Sequence, residues 1–209
     1  MLPMLELVLL IAVLVFSIVL HEYAHGWTAN RLGDPTAKLA GRLTLNPIKH
    51  IDPVGTIILP GILMTLSFLG YSSILLGWAK PVPVNFFRLR RPKTDMMWVA
   101  LAGPLVNIAL AMALAAVYRL GIWPALAEVL LNGIFVNVLL AVFNMVPVPP
   151  LDGSRVVMGL LPDRAALSYA RIEPYGIFIV FGLLYFGLFD HVLLPAIITV
   201  GALMGINFA

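Results

Sequence analysis

Between Leu5 and Leu32 the only charged or imidazole side chains are Glu6, His21, Glu22, His25 and Arg31. A stretch this apolar belongs in hydrocarbon, and there it can only be a helix, because every backbone N–H and C=O must be satisfied within the segment. The rest of the chain shares the bias, with 61% hydrophobic and 11% charged residues among 209 and a mean hydropathy of +1.01. These values define an all-α polytopic membrane protein, and residues 1–209 read as a single transmembrane domain without internal repeats. A pI near 9.4 in such a chain reports orientation rather than nucleic-acid binding. There is no Cys, so any metal must be held by His, Asp or Glu. The N-terminus has no basic region and no small-residue cleavage site, and is expected to form an uncleaved first helix from about Pro3 to Leu32. At about 1.5 Å per residue His21 lies roughly 27 Å along from Pro3, toward the helix's far end.

His21-Glu22-Tyr23-Ala24-His25 is the polar centre of that helix. Residues four apart share a helix face, so His21 and His25 can both turn an imidazole nitrogen to one ion, with Glu22 beside them. This is the H-E-x-x-H arrangement of zinc hydrolases, in which Zn²⁺ lowers the pKa of its water and the Glu takes the proton. Two His and one Glu placed in lipid without a function would cost several kcal/mol, which favours a metal site over a chance match.

Arg31 to Pro53 is polar and punctuated by Gly and Pro, a loop with little regular helix. His50 within it reads first as a solvated loop histidine, and alternatively as a group near the metal. Residues 54–76 are apolar but interrupted by Pro60-Gly61 and Gly70, and are expected to be re-entrant rather than a full crossing. Gly77 to Val84, with alternating Pro, favours extended backbone that could pair with a peptide. Arg88, Arg90, Arg91 and Lys93 form a basic run, followed by helices over 97–118 and 128–146. Asn107 in the first of these reads as interhelical glue, and Ala102-Gly103-Pro104 allows a neighbour to come close. The second carries Asn137 and Asn144 on nearly one face and breaks at Pro147-Val148-Pro149-Pro150, before Leu151-Asp152-Gly153. Residues 162–174 are polar, and 175–206 form a C-terminal helical hairpin turning near Asp190.

The motif helix, the Ala102-Gly103-Pro104 helix and the run Asn144 to Gly153, in this order, resemble the site-2 protease family of intramembrane zinc metallopeptidases. The likeness spans about residues 15 to 160 and is to a short prokaryotic-type member, without the PDZ or CBS domains and the preceding helix of larger ones. It implies one Zn²⁺ held by His21, His25 and Asp152, Glu22 as general base, and Asn144 as a substrate or oxyanion contact. Donor chemistry also asks for a third ligand, since a catalytic zinc takes three protein donors and leaves one position open. Asp152 suits because the Pro-rich break frees the backbone at a helix end and Gly153 allows close approach; the plainer reading is a turn Asp. Asn144 could donate to a developing oxyanion or serve as interhelical glue.

For Asp152 to reach the motif, the helix ending at Val146 must run parallel to the first, so one of the two apolar stretches between them must fail to cross. With 54–76 re-entrant, 12 of the 13 Lys and Arg fall on the metal-site side and only Arg119 opposite; a full crossing would give 8 to 5. The positive-inside rule prefers the former, which places the site in the cell membrane toward the cytosol, the N-terminus outside, with four or five spans. The expected function is hydrolysis of peptide bonds in single-span transmembrane substrates, in contact with lipid and not with nucleic acid. The alternative is a membrane metal-binding or metal-transport protein using the same His/His/Asp site.

Overall fold

In the computed structural model, which describes residues 2–69, 77 and 79–208, the described chain is helical with irregular connections and contains no strand. The helices are α1 (Leu2–Arg31), α2 (Thr36–Leu39), α3 (Leu59–Phe68), α4 (Pro92–Arg119), α5 (Ala127–Asn144), α6 (Asp152–Leu160), α7 (Asp163–Ala170), α8 (Gly176–Tyr185) and α9 (Leu194–Leu203). Four apolar helical stretches, Met4–Arg31, Pro92–Arg119, Pro124–Asn144 and Asp163–Tyr185, are long enough to cross a bilayer, while Phe189–Leu203 is shorter. The protein is an all-α, multi-pass membrane protein. Leu7, Ile11 and Phe16 of α1 are exposed, an arrangement that hydrocarbon tolerates and water does not.

Side-chain contacts fix the register of the three central helices. On α1 and α4, His25 meets Val99, His21 meets Asn107, and Asn107 also reaches the carbonyl of Ser17. Positions ascend on one helix as they descend on the other, so α1 and α4 are antiparallel. On α1 and α5, Val13 lies against Gly133 and Ser17 against Asn137; here positions ascend together, so the two helices are parallel, as the reach of Asp152 requires. Ala111, Ala115, Ile134 and Val138 fill the α4–α5 contact and meet Leu193 and Ile197 from the α9 end.

The chain between α1 and α4 returns to the end it left. The Arg90 N–H donates to the Leu32 carbonyl at 3.0 Å, and the Asn85 N–H donates to Asp34 Oδ2 at 2.6 Å. Gly33, at φ +114°, turns the chain tightly enough that a Cβ there would lie 3.3 Å from the Arg88 carbonyl oxygen. Residues 32–34 and 85–90 are therefore side by side, and α3 sits in an excursion with both ends at one level. The expected interruption at Pro60-Gly61 is instead bridged: a π-helical turn, Pro53–Ile58, leads directly into α3. The expected break at Gly70 lies outside the described residues.

Other expectations shift. Helix α4 begins at Pro92, so the basic run extends into its first turn, where the Arg91 N–H donates to Asp95 Oδ2 at 2.8 Å. Asp152 is the first residue of α6 rather than a turn residue, and α7 occupies part of the polar 162–174 stretch. Both are short amphipathic helices, too polar to announce themselves by hydropathy. The C-terminal helices α8 and α9 are separated by a break at Gly187, φ +89°, a few residues before Asp190. His50 is buried, not solvated, its Nε2 against the Thr44 carbonyl at 2.9 Å. The described residues of Gly77 to Val84 form no β-ladder; Arg42 Nη2 donates to the carbonyls of Lys80 and Pro81, and Trp78 lies outside the described residues.

Asp34 is fully buried and accepts from the Thr36 backbone N–H and hydroxyl as well as from Asn85. Asp34→Ala should lower stability by about 3 kcal/mol, from loss of hydrogen bonds to a buried carboxylate. It should also open 79–91 to proteolysis, which thermal unfolding and limited digestion in detergent would check.

Candidate metal centre

His21 and His25 are held by their Nδ1 atoms. His25 Nδ1 lies 2.7 Å from the Val99 carbonyl, an acceptor only, so His25 carries its proton on Nδ1. His21 Nδ1 lies 2.5 Å from Asn107 Oδ1, and the Asn107 amide nitrogen is turned to the Ser17 carbonyl and Asn137 Oδ1, so His21 is protonated on Nδ1 as well. Both neutral rings then present a bare lone pair at Nε2. These two atoms are 3.0 Å apart, and Asp152 Oδ2 lies 3.2 Å from one and 3.3 Å from the other.

Asp152 Oδ2 is buried with no hydrogen-bond donor among the described residues. One negative charge and two lone pairs converge on a point, which only a cation among them accommodates. The spacing suits a metal: donor atoms about 2.0–2.1 Å from a tetrahedral zinc are about 3.3 Å from one another. Two imidazoles and one carboxylate are also a donor set that zinc accepts.

The backbone makes room for this. Gly103 of α4 lies directly against the imidazoles, and a Cβ there would be 2.5 Å from His25 Nε2 and 2.6 Å from His21 Nε2. Pro104 lies inside α4 and leaves the Ala100 carbonyl without its intrahelical donor, next to Val99, whose carbonyl serves His25. Asp152 is brought in by a tight reversal after α5, where Gly153 abuts the Met145 carbonyl and a Cβ would lie 2.8 Å from that of Val146.

A cavity of about 350 Å³ opens on the centre, lined among others by His21, Glu22, Val82, Asn144, Asp152 and Arg155. Glu22 Oε2 accepts from the Val82 N–H at 2.7 Å, the one amide hydrogen in Pro81-Val82-Pro83. Asn144 spends one amide hydrogen on the Leu140 carbonyl at 2.9 Å and has a second to offer. Arg155 pairs with Glu173 at the rim. His50 is not part of the His/His/Asp group. Sequence reasoning brought together His21, Glu22, His25, Asn144 and Asp152; it missed the parts played by Gly103, Asn107 and the Val82 amide. The available signal was spacing, since Ser17, His21 and His25 recur every four residues on α1, as do Val99, Gly103 and Asn107 on α4.

Fold and site together define a multi-pass membrane protein with a His/His/Asp group able to hold a metal ion. The model of peptidase family M50 matches residues 121–187. The chain is 38% identical over 186 residues to YwhC of Bacillus subtilis, named as a zinc metalloprotease, covering 84% of this chain and 79% of that one. It is 32% identical over 181 residues to Rip2 of Mycolicibacterium smegmatis, covering 85% and 66%, and 37% identical over 172 residues to Rip2 of Mycobacterium tuberculosis, covering 80% and 57%. Both are also named as zinc metalloproteases. No solved structure gives a significant match. The chain belongs to peptidase family M50, the site-2 proteases, and is a zinc-dependent metallopeptidase.

Gly103→Ala adds one methyl group in a helix that favours Ala, and should cut zinc affinity by about 100-fold or more while leaving the helices intact. Elemental analysis and circular dichroism of the detergent-purified variant would check this.

Proposed function

We propose that this protein hydrolyses peptide bonds within or next to the transmembrane segments of membrane-protein substrates, with His21, His25 and Asp152 as metal ligands, Glu22 as general base and Asn144 as a donor to the oxyanion. The observation that carries the reading is the convergence of His21 Nε2, His25 Nε2 and Asp152 Oδ2 within 3.0–3.3 Å in a cavity that also contains Glu22 and Asn144. Zinc, when bound, supplies the Lewis acidity that makes water a nucleophile near neutral pH. Glu22 takes the proton of the attacking water and delivers it to the leaving amine. Its hydrogen bond from Val82 holds one oxygen still and leaves the other free for that transfer. The spare amide hydrogen of Asn144 is available to the carbonyl oxygen as it gains charge.

A substrate helix must unwind to present its carbonyl, and the irregular segment through Val84 beside the cavity is where an extended stretch would lie. Single-span proteins already shortened by another protease are the proposed substrate class, and the whole chain serves as one peptidase domain. The site faces the cytosol in this reading. Residues 32–34 and 85–90 share one end of the molecule, which supports a re-entrant 54–76 and the charge split of 12 basic residues to one. Cysteine labelling should find positions 34 and 93 on the same, cytosolic side; labelling from opposite sides would refute the topology.

Glu22→Gln keeps the hydrogen-bond acceptor for Val82 and loses the base. It should retain zinc and lower cleavage of a transmembrane reporter peptide by about 10²-fold or more. A transport protein using the same ligands would be indifferent to this change, so metal uptake and peptide cleavage by the same variant separate the two readings.

A further inference from the structure

Behind the metal centre lies a set of buried polar groups that the reaction does not use. Ser17, Asn107 and Asn137, on α1, α4 and α5, are each no more than 1% exposed. Their hydrogen bonds can be followed in one direction only. The Ser17 hydroxyl donates to the Val13 carbonyl, so toward Asn137 its oxygen can only accept. Asn137 Nδ2 meets that oxygen and the Gly133 carbonyl, both at 2.9 Å, which fixes Asn137 Oδ1 toward Asn107. Asn107 must then present its Nδ2 to Asn137, at 3.0 Å, and to the Ser17 carbonyl, leaving its Oδ1 for His21 Nδ1. Each amide orientation follows from the one before, and the series begins at backbone carbonyls that cannot reverse roles.

We propose that Asn107, held in turn by Asn137 and Ser17, is a positioning residue that keeps the His21 proton on Nδ1 and its Nε2 lone pair on the metal. His21 cannot choose the other tautomer without placing two acceptors face to face in an apolar core. His25 has the same service from the Val99 carbonyl, whose role is fixed; His21 depends on an amide that could in principle turn over, and Asn137 together with the Ser17 carbonyl prevents it. The inference rests on the reading of His21 as a ligand.

The test is the zinc dissociation constant, by chelator competition in detergent, for wild type, Asn107→Leu, Asn137→Leu and the double variant, with helicity and thermal unfolding measured alongside. Asn107→Leu should weaken zinc binding by about 10- to 100-fold. Asn137→Leu, which touches no ligand, should weaken it by a smaller factor that disappears when Asn107 is already Leu, because it acts only through that amide. Unchanged affinity in both single variants, or losses that simply multiply in the double variant, would overturn the proposal. Should the variants not fold, zinc-loaded wild type labelled with ¹⁵N-histidine decides: an exchange-protected Nδ1 proton on His21 is expected, and ligation through Nδ1 or an unprotected proton would overturn it. His21→Ala separates the two levels of the argument. Full zinc binding in that variant removes the ligand reading itself, whereas loss of zinc there with wild-type affinity in Asn107→Leu removes only the positioning role.

Discussion

Hydrocarbon gives a buried polar atom no water to fall back on, so each donor and acceptor inside these helices has to be matched within the protein. At the centre of the molecule nearly all of them are. Ser17, Asn107 and Asn137 satisfy one another and three helix carbonyls, and the Nδ1 atoms of His21 and His25 are taken by Asn107 and Val99. What the matching leaves over is two Nε2 lone pairs and one carboxylate oxygen, gathered at one point. The unmatched atoms are where the chemistry is proposed to begin, and the matched ones are why these remain unmatched.

The same accounting fixes how the helices sit. Antiparallel α1 and α4 make their polar contacts at matched levels, Val99 with His25 and Asn107 with His21 and Ser17, and α5 joins at Asn137. Sliding any one helix by a turn, about 5.4 Å, would separate all its pairs together and strand several polar groups in an apolar interior. Apolar contacts such as Ile134 with Ala111 supply packing but little discrimination between neighbouring registers, because one small apolar side chain replaces another at modest cost. Register in this bundle is therefore a polar decision, and the metal centre shares the residues that make it.

Much of this was legible in the sequence, and the reasons differ by element. The first helix and the helices that became α4 and α5 were visible from apolar length, with bounds moved by a few residues, since hydropathy marks hydrocarbon contact directly. His21, Glu22 and His25 were readable because their spacing is local to one helix. Asp152 needed more, namely the demand for a third donor and the resemblance carried by Asn144 to Gly153. The short helices α6 and α7 were missed because amphipathic segments of nine and eight residues average out as polar. His50 was misjudged because a Pro-rich loop was taken to be solvated, whereas its fold packs the ring against the Thr44 carbonyl. Asn107 was identified as glue, and glue it is; that it also faces His21 Nδ1 depends on the crossing of α1 over α4, which no local pattern encodes.

Gly103 and Asn107 show how a crossing becomes chemistry. Four positions apart on α4, they bracket the same imidazole from two directions: Gly103 supplies emptiness beside Nε2, and Asn107 supplies an acceptor at Nδ1. A larger residue at the first position would fill the space the ion needs, and an apolar one at the second would release the ring. The Val99 carbonyl, one turn before Gly103, meets His25 Nδ1, so a single stretch of α4 addresses both histidines. α4 thus acts as a template for proposed ligands it does not itself contain. A small rotation of α4 about its axis would disturb the ligand orientation before it disturbed the apolar core, since the core tolerates repacking and a directed lone pair does not.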